Sequence, residues 1–297
     1  MARVDSLQSP AGAHLLQTLH RQRRRYWKRL RRCRGKLSTK AVHGLRIEGR
    51  RLLVIFELLQ GLAAADELKT ARREMKRQLK SVARLRDTQV QLGVVKPLRR
   101  AHPALGSFYG HLGRQERALG ASAAQKLEAG AGGLKQSLAT IEAWFEAMVA
   151  GGGNDALCRA GLARALELNR RRVVEGEPAV WTGGEIHRAR IALRELRYLA
   201  EFLQPILPSI TADRLEKLHA CQSLMGEIHD FEILGAQLTA HVRGHRRRRK
   251  ALEPFVRDLI RRHDALAVEG RRKADVLFRA RTGVLAKLDR TARGSAA

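Results

Sequence analysis

The sequence predicts an all-α fold, and three observations support that prediction. Ala, Leu, Arg and Glu are common while aromatic residues make up only 4% of the 297 residues, a composition that favours helix over strand. Glycines and prolines divide the chain into long tracts without breakers. No convincing run alternates apolar and polar residues as a half-buried strand does. Since apolar residues amount to 44%, these helices can bury a core.

Capping residues and helix breakers predict the helices of the first half. Ser9 and Pro10 combine an N-cap with proline at the first helical position. Ser38 or Thr39 caps the second helix, and Pro97 is expected to lie beyond the end of the third. The predicted helices of this half span about residues 10–34, 38–60, 66–96, 105–128 and 134–149.

A linker of Gly151-Gly152-Gly153-Asn154 divides the chain into two halves, 1–150 and 151–297. In the second half a helix is predicted from about Asp155 to Val174, followed by a loop that contains several glycines and Pro178. The next helix is expected to end at Pro205, and another to begin near Thr211. The remainder, to about residue 289, is predicted to be helical with a break near residue 244.

The second half repeats motifs of the first. The segment HGLRIEGRRL at residues 43–52 matches HRARIALREL at residues 187–196, which lies 144 residues later. Leu85-Arg86-Asp87 matches Ile228-His229-Asp230 at an offset of 143. Two matches at nearly the same offset indicate an internal duplication of a helical unit.

The repeated motif places a basic stripe on one face of a helix in each half. On a helical wheel these side chains fall within an arc of about 80°, opposite the leucines. A solvated face of an amphipathic helix would also explain one such stripe. Its recurrence, with no acidic residue on it before Glu57 and Glu201, favours anion binding instead. The stripe consists of His43, Arg46 and Arg50 in the first half and His187, Arg190, Arg194 and Arg197 in the second.

The following helix carries a second polar face in each half. Guanidinium and ammonium groups donate charge-assisted hydrogen bonds to phosphate oxygens, and imidazole and amide groups add further donors. The aspartate of each set is interpreted as orienting a neighbouring cation, with a salt bridge or a cap as the alternative. The sets are Lys76, Lys80, Arg84 and Asp87 in the first half and His219, Gln222, Ser223, Gly226 and Asp230 in the second.

The net charge indicates which partners to expect, and the cysteines indicate the cellular compartment. Lys and Arg outnumber Asp and Glu by 58 to 29, so the formal net charge is +29 and an anionic partner is expected: nucleic acid, an acidic membrane surface or a polyphosphate. Cys33, Cys158 and Cys221 give neither a disulfide framework nor zinc-site spacing, which favours a reducing cytosol. Neither a signal peptide nor a membrane-spanning run is predicted.

The two pairs of motifs resemble the CHAD family, the conserved histidine α-helical domain, over nearly the whole chain. The second half is the closer match, through HRARIALRELRYLAEFL and LHACQSLMGEIHDFEIL. In the first half Ala83 stands where the second half has Gly226, and Leu53 where it has Arg197. The resemblance implies two bundles of about four helices related by pseudo-twofold symmetry around a basic central pore. It also implies that the pore binds inorganic polyphosphate and that the protein associates with polyphosphate granules in the cytoplasm.

The stripes and the resemblance together give the candidate polyphosphate-binding residues. The first helix contributes to them because nine of the fourteen residues from 21 to 34 are Lys or Arg, and this helix must pack against the motif helix. A separate basic run from His245 to Lys250 has no counterpart in the first half and is typical of a general polyanion or nucleic-acid patch. The candidates are Arg21, Arg25, Lys28, His43, Arg46, Arg50, Arg51, Lys76, Lys80, Arg84, His187, Arg190, Arg194, Arg197, Tyr198, His219 and Gln222.

Three other functions compete with simple polyphosphate binding. Nucleic-acid binding fits the charge, but the sequence contains no fingerprint of a nucleic-acid module and few aromatic residues for stacking. A metal-dependent phosphohydrolase could use His229-Asp230, but one aspartate per half among many cations would repel a divalent ion. A granule-coating role is compatible with polyphosphate binding. The sequence therefore predicts a binding protein, not an enzyme, with no cofactor, no catalytic residue and no metal ligand.

Overall fold

The fold is all-α, as predicted. A computed structural model describes residues 10–62, 66–151, 155–177, 183–207 and 210–278, and these residues form ten helices and no strand. The helices are α1 (Pro10–Gly35), α2 (Thr39–Gln60), α3 (Asp66–Ser81), α4 (Ala83–Leu98), α5 (Leu105–Ala129), α6 (Ala131–Ala150), α7 (Asp155–Glu175), α8 (Gly183–Leu203), α9 (Ala212–Val242) and α10 (Arg246–Phe278).

Side-chain caps and one left-handed glycine set several of these boundaries. The side chain of Ser38 accepts a hydrogen bond from the backbone N–H of Ala41 at the start of α2, which satisfies one of the helix's free donors. Thr211 caps α9 in the same way. Gly244 adopts φ 76° between α9 and α10, a conformation that glycine adopts without steric cost. Residue 9, residues 152–154 of the linker and the predicted helix beyond residue 278 lie outside the described residues.

The third predicted tract differs from expectation, because it forms two helices and extends past its proline. The chain leaves helical geometry at Val82, where φ is −105° and ψ is 4°. Pro97 lies inside the last turn of α4, which ends at Leu98. A proline in a final turn removes only one hydrogen bond, so the helix can continue for a single residue beyond it. Among the described residues the first half therefore contributes six helices, two more than expected, and the second half contributes the expected four.

Helix order repeats between the halves. Adding 144 to the bounds of α1, α2 and α5 gives approximately the bounds of α7, α8 and α10, and the single helix α9 corresponds to α3 and α4 together. This correspondence agrees with the internal duplication, whereas α6 has no counterpart among the described residues.

Two apolar cores hold the halves together. The larger core includes side chains of both halves, among them Leu52 and Phe56 of α2 and Leu196 and Leu199 of α8. A smaller second core joins α4 and α5 to α9 and α10 through Val95, Phe108, Leu238 and Phe255. Each fully buried side chain of this kind stabilises the fold by roughly 1.5–3 kcal/mol relative to its exposed state. The two cores therefore fix α2, α4, α8 and α9 against one another. In the ranges that the structure describes, none of the helices combines the length and apolarity needed to cross a bilayer.

Candidate functional site

Four helices bring basic side chains of both halves together in one group. Arg50 of α2 is its central member, because its charge lowers the pKa of six other members. Arg190 of α8 likewise lowers the pKa of Arg46 of α2 and of His229 of α9. We call this group the central basic cluster, and it comprises His43, Arg46, Arg50 and Arg86 from the first half and His187, Arg190, Arg194 and His229 from the second.

Local structure positions the first-half members. Residues 43, 46 and 50 follow helical spacing, so they lie on one face of α2 while Leu45 and Leu52 are buried on the other. Arg46 donates a hydrogen bond from Nη1 to the backbone oxygen of Leu79 at 3.2 Å. That carbonyl belongs to the last turn of α3, where helical hydrogen bonding ends. The break at Val82 thus supplies an acceptor that orients Arg46.

The arginines of the central basic cluster hold their charge in a partly desolvated place. Burial and neighbouring guanidinium groups lower the pKa of Arg46 to about 10 and that of Arg194 to about 9. Burial also lowers the pKa of Arg50, Arg86 and Arg190. All five nevertheless remain protonated at neutral pH. The fold therefore gathers five like charges at an energetic cost that a bound anion would offset.

Three carboxylates lie near these arginines. Glu195 is 3.8 Å from Nη2 of Arg194. Asp87 and Asp230 form no ion pair shorter than 4.0 Å with the described cations, yet their charges oppose the lowering of the Arg86 and Arg190 pKa. Burial raises the pKa of Asp230 against the opposing effect of these arginines. Five arginines against three carboxylates leave the site positively charged.

Several nitrogen atoms of the central basic cluster are buried without a hydrogen-bond partner in the described structure. They are Nε of Arg190 and Arg194 and Nδ1 of His187 and His229. Buried polar atoms without partners are uncommon in folded proteins and cost about 1–3 kcal/mol each. Four such atoms therefore add to the energetic cost of the central basic cluster in the protein without a ligand.

The two halves carry different partners for their motif histidines. In the second half the rings of His187 and His229 lie with their centroids 4.7 Å apart. Nδ1 of His229 is 3.7 Å from Glu232 of α9, which also lies 3.7 Å from Nε2 of His263 in α10. In the first half the side chain of His43 is exposed. The packed protein around it still desolvates the ring in part, and this desolvation, followed by the charge of Arg86, makes the largest contribution to lowering its pKa.

Four of the predicted site residues form the junction between α2, α8 and α9. Nη2 of Arg51 is 2.7 Å from Glu201 of the other half. Arg197 also pairs with Glu201 and donates from Nε to the side-chain oxygen of Gln222 at 2.6 Å. The guanidinium carbons of Arg51 and Arg197 lie 5.3 Å and 4.5 Å from the centroid of the Tyr198 ring. These side chains therefore pair with one another at the junction of the two halves.

The remaining predicted residues are exposed and lie outside the central basic cluster. Arg84 and Arg86 are two positions apart on α4, so their side chains point to opposite sides of the helix. Lys80 and Arg84 line a cavity of about 900 Å³ between α3–α4 and α5–α6, and Lys76 and Lys80 line a groove of about 410 Å³ on α3. The exposed set comprises Arg21, Arg25, Lys28, Lys76, Lys80, Arg84 and His219.

Sequence reasoning left three nearby residues out of the candidate set. Arg86 and His229 occupy equivalent positions in the second repeated motif, so the repeat itself could have identified them. Arg29 is the α1 cation whose charge lowers the pKa of His43. Its Nε lies 3.8 Å from Glu48. Nothing in the basic run of α1 distinguishes Arg29 from its neighbours before the helices are packed. Among the described residues no group of three or more His, Cys, Asp or Glu could hold a metal ion.

Comparison with known proteins adds two likenesses. The family model for the CHAD domain matches residues 15–239. The crystal structure of the CHAD domain from the plant Ricinus communis is similar with a TM-score of 0.64 and 17% sequence identity, covering 97% of this chain and 96% of that chain. At that identity the likeness shows the shared fold. No curated protein matches the sequence.

Proposed function

Because the chain belongs to the CHAD domain family, we propose that it binds inorganic polyphosphate at the central basic cluster, without catalysis. The observation that carries the proposal is the position of Arg50, whose charge acts on cations of α2, α4 and α8 at once. An arrangement that concentrates like charge from both halves is costly without an anion and favourable with one.

A linear polyphosphate suits this site better than a small anion does. Each guanidinium can donate two parallel hydrogen bonds to phosphate oxygens, but one orthophosphate has too few oxygens for five arginines on three helices. Successive phosphates of a chain can contact Arg46 and Arg86 of the first half and Arg190 of the second. Exposed hydrogen-bond donors such as Lys80 and His219 would then contact a longer chain beyond the central basic cluster.

The carboxylates of the site support binding rather than hydrolysis. A divalent cation that takes part in phosphate hydrolysis needs several carboxylate oxygens close together as its ligands. Asp87 and Asp230 lie among guanidinium groups whose charge would repel such an ion. The aspartates instead limit the mutual repulsion of the arginines.

The family resemblance extends the proposal to a pore between the halves and to polyphosphate granules in the cytoplasm. A protein that binds polyphosphate through both halves would coat or scaffold such granules. The proposal needs only the described site and does not depend on a particular granule partner.

Titration with polyphosphates of defined length tests the proposed function. We expect affinity, measured by calorimetry, to rise with chain length until one chain contacts both halves and then to flatten. Orthophosphate and ATP should bind weakly, and affinity should fall steeply with salt because counterions are released. Equal competition by ATP and by polyphosphate of matched charge would contradict the proposal, and stronger competition by DNA of matched charge would favour nucleic acid.

A further inference from the structure

A second basic surface lies at the start of α10. We call it the α10 basic patch, and it comprises Arg243, His245, Arg246, Arg247, Arg248, Arg249 and Lys250. No acidic residue interrupts the sequence from His241 to Lys250. Every residue from 243 to 251 is exposed, and Leu252 is the first that is buried, in the second core. The first turn of α10 therefore projects beyond the core that anchors the helix.

Cations of neighbouring helices extend this surface. The charges of Arg248 and His245, together with His111 and Arg114 of α5, lower the pKa of His241 at the end of α9 after the larger effect of burial. The rings of His111 and His241 lie 5.2 Å apart. A groove of about 420 Å³ follows the turn at Gly244, lined among others by Arg243, Arg246 and Arg249. Three helices thus contribute to one strongly positive end of the molecule.

The α10 basic patch differs in geometry from the central basic cluster. Successive residues of a helix are turned by about 100°, so the side chains of four consecutive arginines leave α10 in nearly all directions. The charge of Arg248 acts on His241, whereas Arg246 and Arg249 line the groove. A single extended polyanion can contact only one side of such a helix end. Two phosphate backbones on either side of it would engage the arginines together.

From this arrangement we propose that the α10 basic patch binds double-stranded nucleic acid through its phosphate backbones, without sequence preference. An α-helix with its side chains is about 10–12 Å across, and the major groove of B-DNA is about 12 Å wide. The projecting turn therefore fits between the two backbones with its arginines directed at phosphates on both strands. Phosphate contacts of this kind provide affinity but carry no sequence information.

Fluorescence anisotropy of a labelled DNA duplex of about 20 base pairs, roughly two helical turns, tests this proposal. The test variant changes Arg246, Arg247, Arg248 and Arg249 to Ala, which favours helix, and circular dichroism verifies that α10 is retained. We expect duplex affinity at low salt to fall at least tenfold. The slope of log affinity against log salt should decrease by about 3–4, near 0.9 for each phosphate that the variant no longer neutralises.

A charge-matched variant distinguishes the contribution of the α10 basic patch from that of the net charge of the protein. It changes Arg31, Arg32, Arg73 and Arg77 to Ala, all exposed and outside both basic sites. This variant should keep duplex affinity within about threefold, since it retains the patch. Equal losses in the two variants would overturn the proposal in favour of diffuse attraction.

Competition with short polyphosphate tests whether the duplex binds at the α10 basic patch or at the central basic cluster. One molar equivalent should leave duplex binding largely unchanged, and an RNA duplex tested in parallel shows which nucleic acid binds better. Displacement of the duplex by that single equivalent, or loss of polyphosphate rather than duplex affinity in the α10 variant, would also overturn the proposal. The duplex affinities of the two four-arginine variants do not depend on whether the central basic cluster binds polyphosphate.

Discussion

The two halves contribute to one basic cluster with different chemistry. The first half places His43 beside Arg86, whereas the second half places His187 beside His229. Arg86 and His229 are equivalent positions of the repeated motif. The first half therefore contributes a permanent charge where the second contributes a titratable ring. A duplicated scaffold can thus keep the arginine stripe in both copies and still place two adjacent titratable rings in only one of them.

The acidic residues at the ends of the two stripes also occupy equivalent positions but have different partners. Glu57 and Glu201 lie 144 residues apart, and each pairs with an arginine of the other half. Glu201 holds Arg51 and the nearly buried Arg197. Glu57 holds Arg172, whose side chain is 40% exposed. The two glutamates therefore join the halves at equivalent positions, and we expect their ion pairs to contribute unequally to the free energy of unfolding.

The largest expected effect comes from removing one equivalent arginine of the stripe from each half. We expect the double variant Arg46→Ala, Arg190→Ala to weaken short-polyphosphate binding by at least about 100-fold, because each charge-assisted hydrogen bond contributes roughly 1.5–3 kcal/mol. Calorimetric titration gives the affinities, and thermal unfolding verifies the fold.

Its control removes the same charge from the α10 basic patch. The variant Arg247→Ala, Arg248→Ala should reduce short-polyphosphate affinity by less than about threefold at moderate salt, since long-range attraction between exposed charges is screened. Similar losses in the two double variants would leave no special role for the central basic cluster.

Exchanging the equivalent residues tests the chemical difference between the halves. A bound polyanion should raise the histidine pKa values, which burial and neighbouring arginines lower in the free protein. Binding then takes up protons, and affinity rises as the pH falls from about 8 towards about 6, by at most about tenfold per pH unit for each proton. His229→Arg should reduce this dependence and Arg86→His should increase it.

Calorimetry in buffers of different ionisation enthalpy counts the protons taken up. The double variant His43→Gln, His187→Gln, which keeps every arginine, provides the comparison for the motif histidines. Zero uptake by the wild-type protein over this pH range would show that the histidines only support the geometry of the stripe.

The helices and the repeated arginines could be predicted from the sequence. Which basic residues the packed helices bring together, and which they pair elsewhere, could not. Helical spacing and capping identify α2 and α8 from the amino-acid sequence alone, because those patterns are local. Which cations meet is a tertiary property. Arg29 rather than Arg25 affects His43, and Arg51, a predicted binding residue, pairs instead with Glu201. The break at Val82, with no proline or glycine near it, also has no local signature in the sequence.

A smaller effect is expected from the two equivalent glutamates. Glu201→Gln should lower the free energy of unfolding by about 1.5–3 kcal/mol, because Arg197 is only 10% exposed and would lose its charged partner. Glu57→Gln should cost less than about 1 kcal/mol, since its partner is more exposed. It also removes the charge that, after burial, contributes most to raising the pKa of Glu195. Urea unfolding at neutral pH measures both, and equal costs would show that the two junctions are energetically alike.

The smallest effect is the pH dependence of stability without a ligand, and the histidine pair of the second half contributes to it together with His43 and His241, whose pKa values are also lowered. Burial and then Arg190 lower the pKa of both His187 and His229 in the folded state. Their unfolded pKa is about 6.5, so the unfolded chain binds protons more readily than the folded protein does. The free energy of unfolding should therefore fall as the pH decreases through about 6.5 towards the folded-state values.

The variant His229→Arg should reduce this slope, because a permanent charge replaces one of the two titrating rings of the pair. Saturating polyphosphate should reverse the sign, since the complex takes up the same protons on folding. Urea denaturation between pH 7.5 and about 6, above the ordinary pKa range of Asp and Glu, measures the slope in all three cases. An unchanged slope with polyphosphate would place the ligand away from the histidine pair.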